Sequence, residues 1–377
     1  MKYLNELKPE ALAGKKMLLR VDFNVPAADK DGEIETFRIK AHKHTLDYLV
    51  NSGAQVALVS HRAERTSFSP IAEQIGEALG QSLTLIPHSE LGSLGLILQK
   101  CPVVLIDNIR QDPREEKNDD ALAAELAKGF DFYINDAFSV CHRAHSSVVA
   151  VTKHLPSYAG FLIKKEIEHL TKALAAPAAG KVLVLGGAKI STKLPVIKNF
   201  LDKAEKILIG GAIANNFFKA QGIKVGKSVV DDSTPTQLTS SQGVMLPTDI
   251  LVAENKSGQG KNEVKPLGDT ADNQLIVDIG TQTAQDFAET IVGAELVIWN
   301  GPMGLAEVPA FAAGTEQTAR AVAAAKYSII GGGDTIAAAD RLGLLPQYDF
   351  VSTGGGAMLV FLAGEKLPGL ESLGYYQ

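Results

Sequence analysis

The chain has 377 residues, 45% of them hydrophobic and 21% charged, with a net charge of −6. That length exceeds what one hydrophobic core serves, so two domains are expected, and the acidic balance excludes a general nucleic-acid binder, whose surface would be broadly basic. No segment has the length and apolarity of a membrane span, the start Met1-Lys2-Tyr3-Leu4-Asn5-Glu6 is polar, and Cys101 and Cys141 are too few for a disulfide framework, which together point to the cytoplasm.

In chain order, strands are predicted at 17–21, 56–59, 103–106, 132–134, 182–185, 206–209, 296–299 and 328–330. They alternate with helical patterns, as at 71–79 and 119–127, where Asp119 or Asp120 is a candidate cap. Such alternation is the signature of a parallel α/β architecture. A helix-like segment between Pro156 and Ala176, followed by Pro177-Ala178-Ala179-Gly180, is the expected domain boundary. Residues 231–273, polar and punctuated by proline and glycine, are expected to form loops and short irregular strands and no separate domain.

Arg20, Arg38, Arg62, Arg65, Arg110, Arg114 and Arg143 lie in the first 143 residues, and the next arginine is Arg320. Guanidinium forks hold carboxylate and phosphate in a fixed bidentate geometry, whereas an ammonium is a mobile point charge suited to a phosphoryl group in transit. The first half is therefore expected to hold an acid. Arg114, inside Arg114-Glu115-Glu116-Lys117, reads instead as a solvated surface residue. His61 follows a predicted strand and stands beside Arg62 and Arg65; His142-Arg143-Ala144-His145 follows another and fits an anion clamp better than a metal site, having no third ligand by spacing. Asp22 and Asn24, also at a strand end, are acceptors for substrate hydroxyls or simply turn formers.

The second half is marked by glycine. Apolar runs end in Gly186-Gly187, Gly210-Gly211, Gly331-Gly332-Gly333 and Gly354-Gly355-Gly356. Each block alone could be a turn, but together they indicate one crevice at the carboxyl ends of parallel strands. Asp334-Thr335 directly behind the third block is a phosphate-and-metal arrangement: glycine N–H groups approach an anion and a carboxylate holds the accompanying magnesium. Behind the first block, Lys189 and Lys193 would share a face if a helix started at once. Gly222 to Ser228 resembles a P-loop but is one residue short and reads as a turn.

Assembled, these residues closely resemble the phosphoglycerate kinase family over nearly the whole length. The matching blocks are Arg20 to Pro26; Thr36-Phe37-Arg38-Ile39; Ser60-His61; Asn108-Ile109-Arg110 with Glu115 to Asn118; Asn135 to Phe138 with His142 to His145; Pro156 to Gly160; Leu185 to Lys193; Trp299 to Gly304; Gly331 to Thr335; and Ser352 to Ala357. The resemblance implies two Rossmann-like lobes with parallel sheets flanked by helices. It places an acid-binding lobe at 1–156, a hinge helix at 157–176 and a nucleotide lobe at 177–363, with 364–377 packing back on the first lobe. It further implies that Asp22, Phe23, Asn24, Arg38, His61, Arg62, Arg65, Arg110 and Arg143 bind the triose acid. Lys189, Lys193, Gly211, Asn300, Pro302, Glu307 and Gly332-Gly333-Asp334-Thr335 would bind ATP or ADP, with Mg2+ on Asp334. Arg38, Lys193 and Gly333 would act on the phosphoryl group as it passes from 1,3-bisphosphoglycerate to ADP, giving 3-phosphoglycerate and ATP. A monomer closing about its hinge is implied, with neither nucleic acid nor membrane as partner.

The chain departs from the family pattern in places. The usual His-Leu-Gly-Arg reads His61-Arg62-Ala63-Glu64-Arg65, so either Arg65 or Arg62 substitutes for the missing arginine, with Arg65 favoured; Asp107 and Ala212 replace a glutamate and a glycine. A kinase of the same fold acting on another carboxylate is the runner-up, and a nucleotide binder that has lost transfer activity the alternative outside catalysis.

Overall fold

The computed structural model describes residues 1–25, 34–233, 235, 238 and 241–377. Pro26, which ends the first family-like block, lies outside the described residues. The chain divides into two compact units, Met1–Glu168 with Lys366–Gln377, and His169–Glu365.

The first unit is built on β1 (Lys16–Arg20), β2 (Gln55–Val59), β3 (Thr84–Ile86), β4 (Val103–Ile106), β5 (Phe132–Asn135) and β6 (Ser157–Ala159), a parallel sheet in the order β3-β4-β2-β1-β5-β6. Its strands are continuous apolar runs because helices cover both faces. Successive residues point to opposite sides, so Met17, Leu19, Val56, Leu58, Val103 and Leu105 enter one core while Leu18, Ala57, Val59, Val104 and Ile106 enter another.

The second unit contains β7 (Lys181–Leu185), β8 (Lys206–Ile209), β9 (Val244–Met245), β10 (Asp249–Ala253), β11 (Asn262–Pro266), β12 (Leu275–Ile279), β13 (Leu296–Asn300), β14 (Ser328–Gly331) and β15 (Phe350–Ser352). Six of these form a parallel sheet ordered β15-β14-β13-β7-β8-β9, and β11-β10-β12 form a separate sheet of antiparallel strands. The expectation of irregular strands in 231–273 is thus corrected: β10 and β11 pair in a regular register, the one irregularity lying at Leu251/Val252 of β10 against β12. Cross-strand pairing of Asp249–Ala253 with both neighbours overrides the weak local signal.

In each parallel sheet the chain winds one way and then the other from a central strand, so the order reverses between β1 and β5, and between β7 and β13. Loops leaving such a pair diverge and open a crevice at their carboxyl ends. The helix 120–127 is capped by Asp119, whose carboxylate accepts the Leu122 N–H at 2.9 Å. The helix Phe161–Ala175 carries the chain from the first unit into the second.

Candidate active site

In the first unit, the end of β1 and the loops after β1, β2 and β4 bring Arg20, Asp22, His61, Arg62 and Arg110 together, all with relative exposure of 6% or less, and the loop after β5 brings Arg143 close enough to act on His61 and Arg110. Arg20 is the organising cation. Its Nε donates to Ser147 Oγ at 2.8 Å, and Ser147 in turn donates through its hydroxyl and N–H to the fully buried Glu115 at 2.6 and 2.9 Å. Arg20 Nη2 lies 3.3 Å from His61 Nδ1. A guanidinium can only donate, so Nδ1 accepts and the His61 proton sits on Nε2. Burial lowers the His61 pKa well below its usual value, and Arg20, Arg110 and Arg143 lower it further against the pull of Asp22. His61 is therefore a neutral N–H donor.

Burial alone would raise the Asp22 carboxyl, yet His61, Arg38 and hydrogen bonds from Ser139 and the Asn24 N–H bring it down to about 2. Arg38 lies 3.5 Å from Asp22 Oδ2, and the Ser139 hydroxyl and the Asn24 N–H donate to the same carboxylate. Asn24 Oδ1 accepts the Ala63 N–H at 2.8 Å, tying the β1 loop to the β2 loop. Phe23 is fully buried in the core, and its N–H donates to Ser60 Oγ.

Three guanidinium nitrogens of this cluster, Arg62 Nε and Arg110 Nε and Nη2, are buried without a hydrogen-bond partner. Burial lowers the Arg110 pKa, and its neighbours Arg143 and Arg20 lower it further. A concentration of buried, like-charged donors with unspent capacity is built for an anion. Of the two arginines that could replace the missing one, Arg62 is buried and gives Nη1 to the Ser67 carbonyl at 2.9 Å. Arg65 is exposed and pairs with Glu116, whose other oxygen lies 3.6 Å from Arg110 Nε. Arg114, expected to be a solvated surface residue, is clamped by Asp112 and Glu125.

In the second unit the glycine blocks interlock at the β7/β13 reversal. Gly186 N–H donates to the Asn300 carbonyl, Gly187 N–H to Pro302, and Gly211 N–H to Met303, at 2.8–3.0 Å. A Cβ on Gly211, which has φ +61°, would stand 2.6 Å from the Gly187 nitrogen, so only glycine allows these backbones to meet. Gly332, at φ +98°, precedes the helix Gly333–Arg341, which places Asp334 and Thr335 in its first turn. Thr335 Oγ1 accepts the Gly301 N–H at 2.7 Å and Asn300 Nδ2 donates to the Gly331 carbonyl at 2.9 Å, so β13 and β14 present their loops as one surface.

Lys189 and Lys193 do not share one helical face as expected. Lys189 is extended, one 3₁₀ turn (Ile190–Thr192) follows, and the α-helix runs Leu194–Phe200. Pro195 is the cause, since proline fits the first turn of a helix and not its interior. Lys193 nevertheless reaches the glycines: its Nζ would lie 3.6 Å from a Cβ on Gly187. Burial lowers its pKa, nearby Asp334 opposing and Lys189 reinforcing the shift.

These loops border a cavity of about 570 Å3, with apolar walls from Phe218, Ile250, Leu275 and Met303 and with Lys256, Glu307, Asp334 and Arg341 among its polar residues. Nothing in the linear pattern marks Ile250 and Leu275, which come from the antiparallel sheet, or Asp278, which also lines the cavity. The only available signal for Asp278 was a carboxylate closing the apolar run Leu275-Ile276-Val277.

The family model for phosphoglycerate kinase matches residues 7–365. The chain belongs to the phosphoglycerate kinase family. It is 42% identical to the phosphoglycerate kinase of Moorella thermoacetica over 97% of this chain and 98% of that one. Among solved structures, the phosphoglycerate kinase of Pyrococcus horikoshii OT3 superposes with a TM-score of 0.85 at 31% identity, covering 99% and 98% of the two chains. The enzyme from Coxiella burnetii gives 0.78 at 34%, covering 97% of each. As a member of the phosphoglycerate kinase family the chain is a phosphotransferase of glycolysis. It moves a phosphoryl group reversibly from the acyl phosphate of 1,3-bisphosphoglycerate to ADP, a carboxyl group being the acceptor in reverse.

Proposed function

We propose that the first unit binds the triose acid through Asp22, Asn24, Arg38, His61, Arg110 and Arg143, and the second binds the nucleotide through Lys189, Lys193, Asn300, Glu307 and Gly332 to Thr335. The observation that carries this assignment is the buried guanidinium group with unspent donors in the first unit. Arg110 and Arg143 with the neutral His61 hold the distal phosphate, Asp22 and Asn24 orient the hydroxyl, and Arg65 adds to the anion site through Glu116, which it shares with Arg110. Arg38 and Lys193 neutralise charge on the phosphoryl group as it moves. No general base is needed, because the attacking carboxylate, with a pKa of about 4, is already ionised at neutral pH. Positioning and charge compensation supply the rate.

Magnesium belongs to the same reading. Asp334, in the first turn of the helix Gly333–Arg341 and on the wall of the cavity, is the carboxylate that would hold the ion together with the nucleotide phosphates. When bound, it would neutralise phosphate charge. The reading also includes a cytoplasmic monomer, whose mass sedimentation would check. It includes closure of the two units about the helix Phe161–Ala175, against which a radius of gyration unchanged by both substrates would count.

The deciding experiment is a coupled assay of purified protein with magnesium-ATP and 3-phosphoglycerate, run beside other small carboxylic acids. Turnover confined to 3-phosphoglycerate is expected. Faster turnover of another acid would favour the runner-up, and nucleotide binding with no turnover of any acid would favour the alternative in which the altered His61 to Arg65 loop has cost the transfer activity.

A further inference from the structure

Asp278 is the penultimate residue of β12 and is 2% exposed. Its Oδ2 accepts the Gly314 N–H at 2.7 Å and its Oδ1 the Ile279 N–H at 2.9 Å. Burial raises its pKa to about 7, opposed only by those two N–H groups. A carboxyl buried without a cation is an expensive core residue, because desolvation penalises its charge and only the two N–H groups compensate. Its surroundings show what it does there. A Cβ on Gly304 would lie 2.4 Å from Oδ1 and one on Gly314 2.5 Å from it, so a glycine of the β13 loop and a glycine in the first turn of the helix Ala313–Ala323 are both pressed against the carboxyl. The adjoining Leu305 N–H donates to the Val277 carbonyl at 2.8 Å. Around these anchors the loop supplies Met303, Gly304 and Glu307 to the wall of the cavity, and Asp278 lines the same cavity.

We propose that Asp278 is a positioning residue for the nucleotide, its carboxyl wedged against Gly304 and Gly314 so as to set where Pro302, Met303 and Glu307 stand. The proposal rests on the reading that this cavity takes the nucleotide. Either protonation state of Asp278 keeps an acceptor on both oxygens, so the anchor does not depend on its charge. Asparagine has the same size but turns an NH2 group toward one of the two N–H donors. It therefore loosens the anchor without opening a hole.

The test measures magnesium-ATP affinity by calorimetry, and KM for both substrates with kcat, on wild type, Asp278→Asn and Gly304→Ala. The second variant pushes on the same contact from the other side. A rise in nucleotide KM and Kd on the order of tenfold is expected for each, the equivalent of one good buried hydrogen bond, with the 3-phosphoglycerate KM held within about twofold. Nucleotide binding like wild type in both variants would overturn the proposal while leaving the nucleotide site intact. An equal fall of all parameters with stability would overturn it too, since a merely structural residue behaves so. If Asp278→Asn fails to fold, Gly304→Ala decides alone. Wild type that takes up no nucleotide would sink the site assignment itself.

Discussion

Neutral imidazoles among fixed guanidinium charges define the acid site at the scale of single residues. His145 is pulled down to about 4 by burial, with Arg20, Arg110 and Arg143 adding to it, and His61 is lowered in the same way. An unfolded histidine titrates near about 6.5, so between roughly pH 4 and 6.5 the unfolded chain binds more protons than the native one, and stability must rise with pH through that window. Each such group contributes a slope of at most about 1.4 kcal/mol per pH unit. Asp22, lowered to about 2, acts on the acid side: its stabilisation is complete above an unfolded pKa of about 4 and is lost as pH falls through 2. Urea unfolding at pH 5 and pH 7 should show the rise, and His145→Gln should flatten it; an unaltered slope in that variant would contradict the assignment. Arg38 belongs to the same scale. Half-buried beside Asp22, it is expected to stabilise the moving phosphoryl group, and Arg38→Ala should cut kcat by about 10³–10⁵, as for other arginines in that role. A folded variant losing less than about tenfold in the coupled assay falls far outside that range and would remove Arg38 from the mechanism.

Between elements, Asp136 joins the acid site to the start of the long helix. Its Oδ1 accepts the Leu162 N–H and the Thr45 hydroxyl, each at 2.9 Å, and its Oδ2 lies 2.9 Å from His42 Nδ1. His42 Nε2 accepts the Asp22 N–H at 2.9 Å, so Nδ1 carries the proton and donates it to Asp136. One buried carboxylate therefore satisfies an orphan donor of the helix Phe161–Ala175 and, through His42, fixes the backbone of Asp22. Asp136→Ala should cost about 3 kcal/mol or more, because it strands several buried donors. The urea midpoint reports that loss, and a shift worth under about 1 kcal/mol would show that water replaces the carboxylate. The block Asn135-Asp136-Ala137-Phe138 was visible in the sequence, but the partnership with His42 was not, since it joins residues 94 positions apart.

At the scale of the whole molecule, both chain ends belong to the first unit. The Met1 ammonium donates to the Gly374 carbonyl at 2.9 Å, Gly369 N–H donates to the Cys141 carbonyl at 2.8 Å, and Leu367 and Leu370 are fully buried. Removing 366–377 deletes both leucines and uncovers the apolar surface they pack against, a loss of about 1.5–3 kcal/mol for each side chain, and should destabilise the first unit selectively. Hydrogen exchange should then show protection lost in β1 and β5 and kept in β7 and β13. Equal loss in both sheets would mean that the two units unfold as one.

From the sequence alone came whatever is local: eight apolar runs that became parallel strands, the Asp119 cap, the glycine blocks at strand ends and the division of arginine from lysine. Each depends on a residue's own conformational range or charge, which a linear pattern carries. Only the tertiary structure decided that Pro195 delays the helix after Gly187, that Asp249–Ala253 finds partners on both sides, and that Arg62 turns inward while Arg65 meets Glu116. It alone placed Asp278 under the β13 loop. These outcomes hang on burial and on contacts between residues far apart in the chain, where the cost of an unpaired polar group or an unfilled space outweighs local preference.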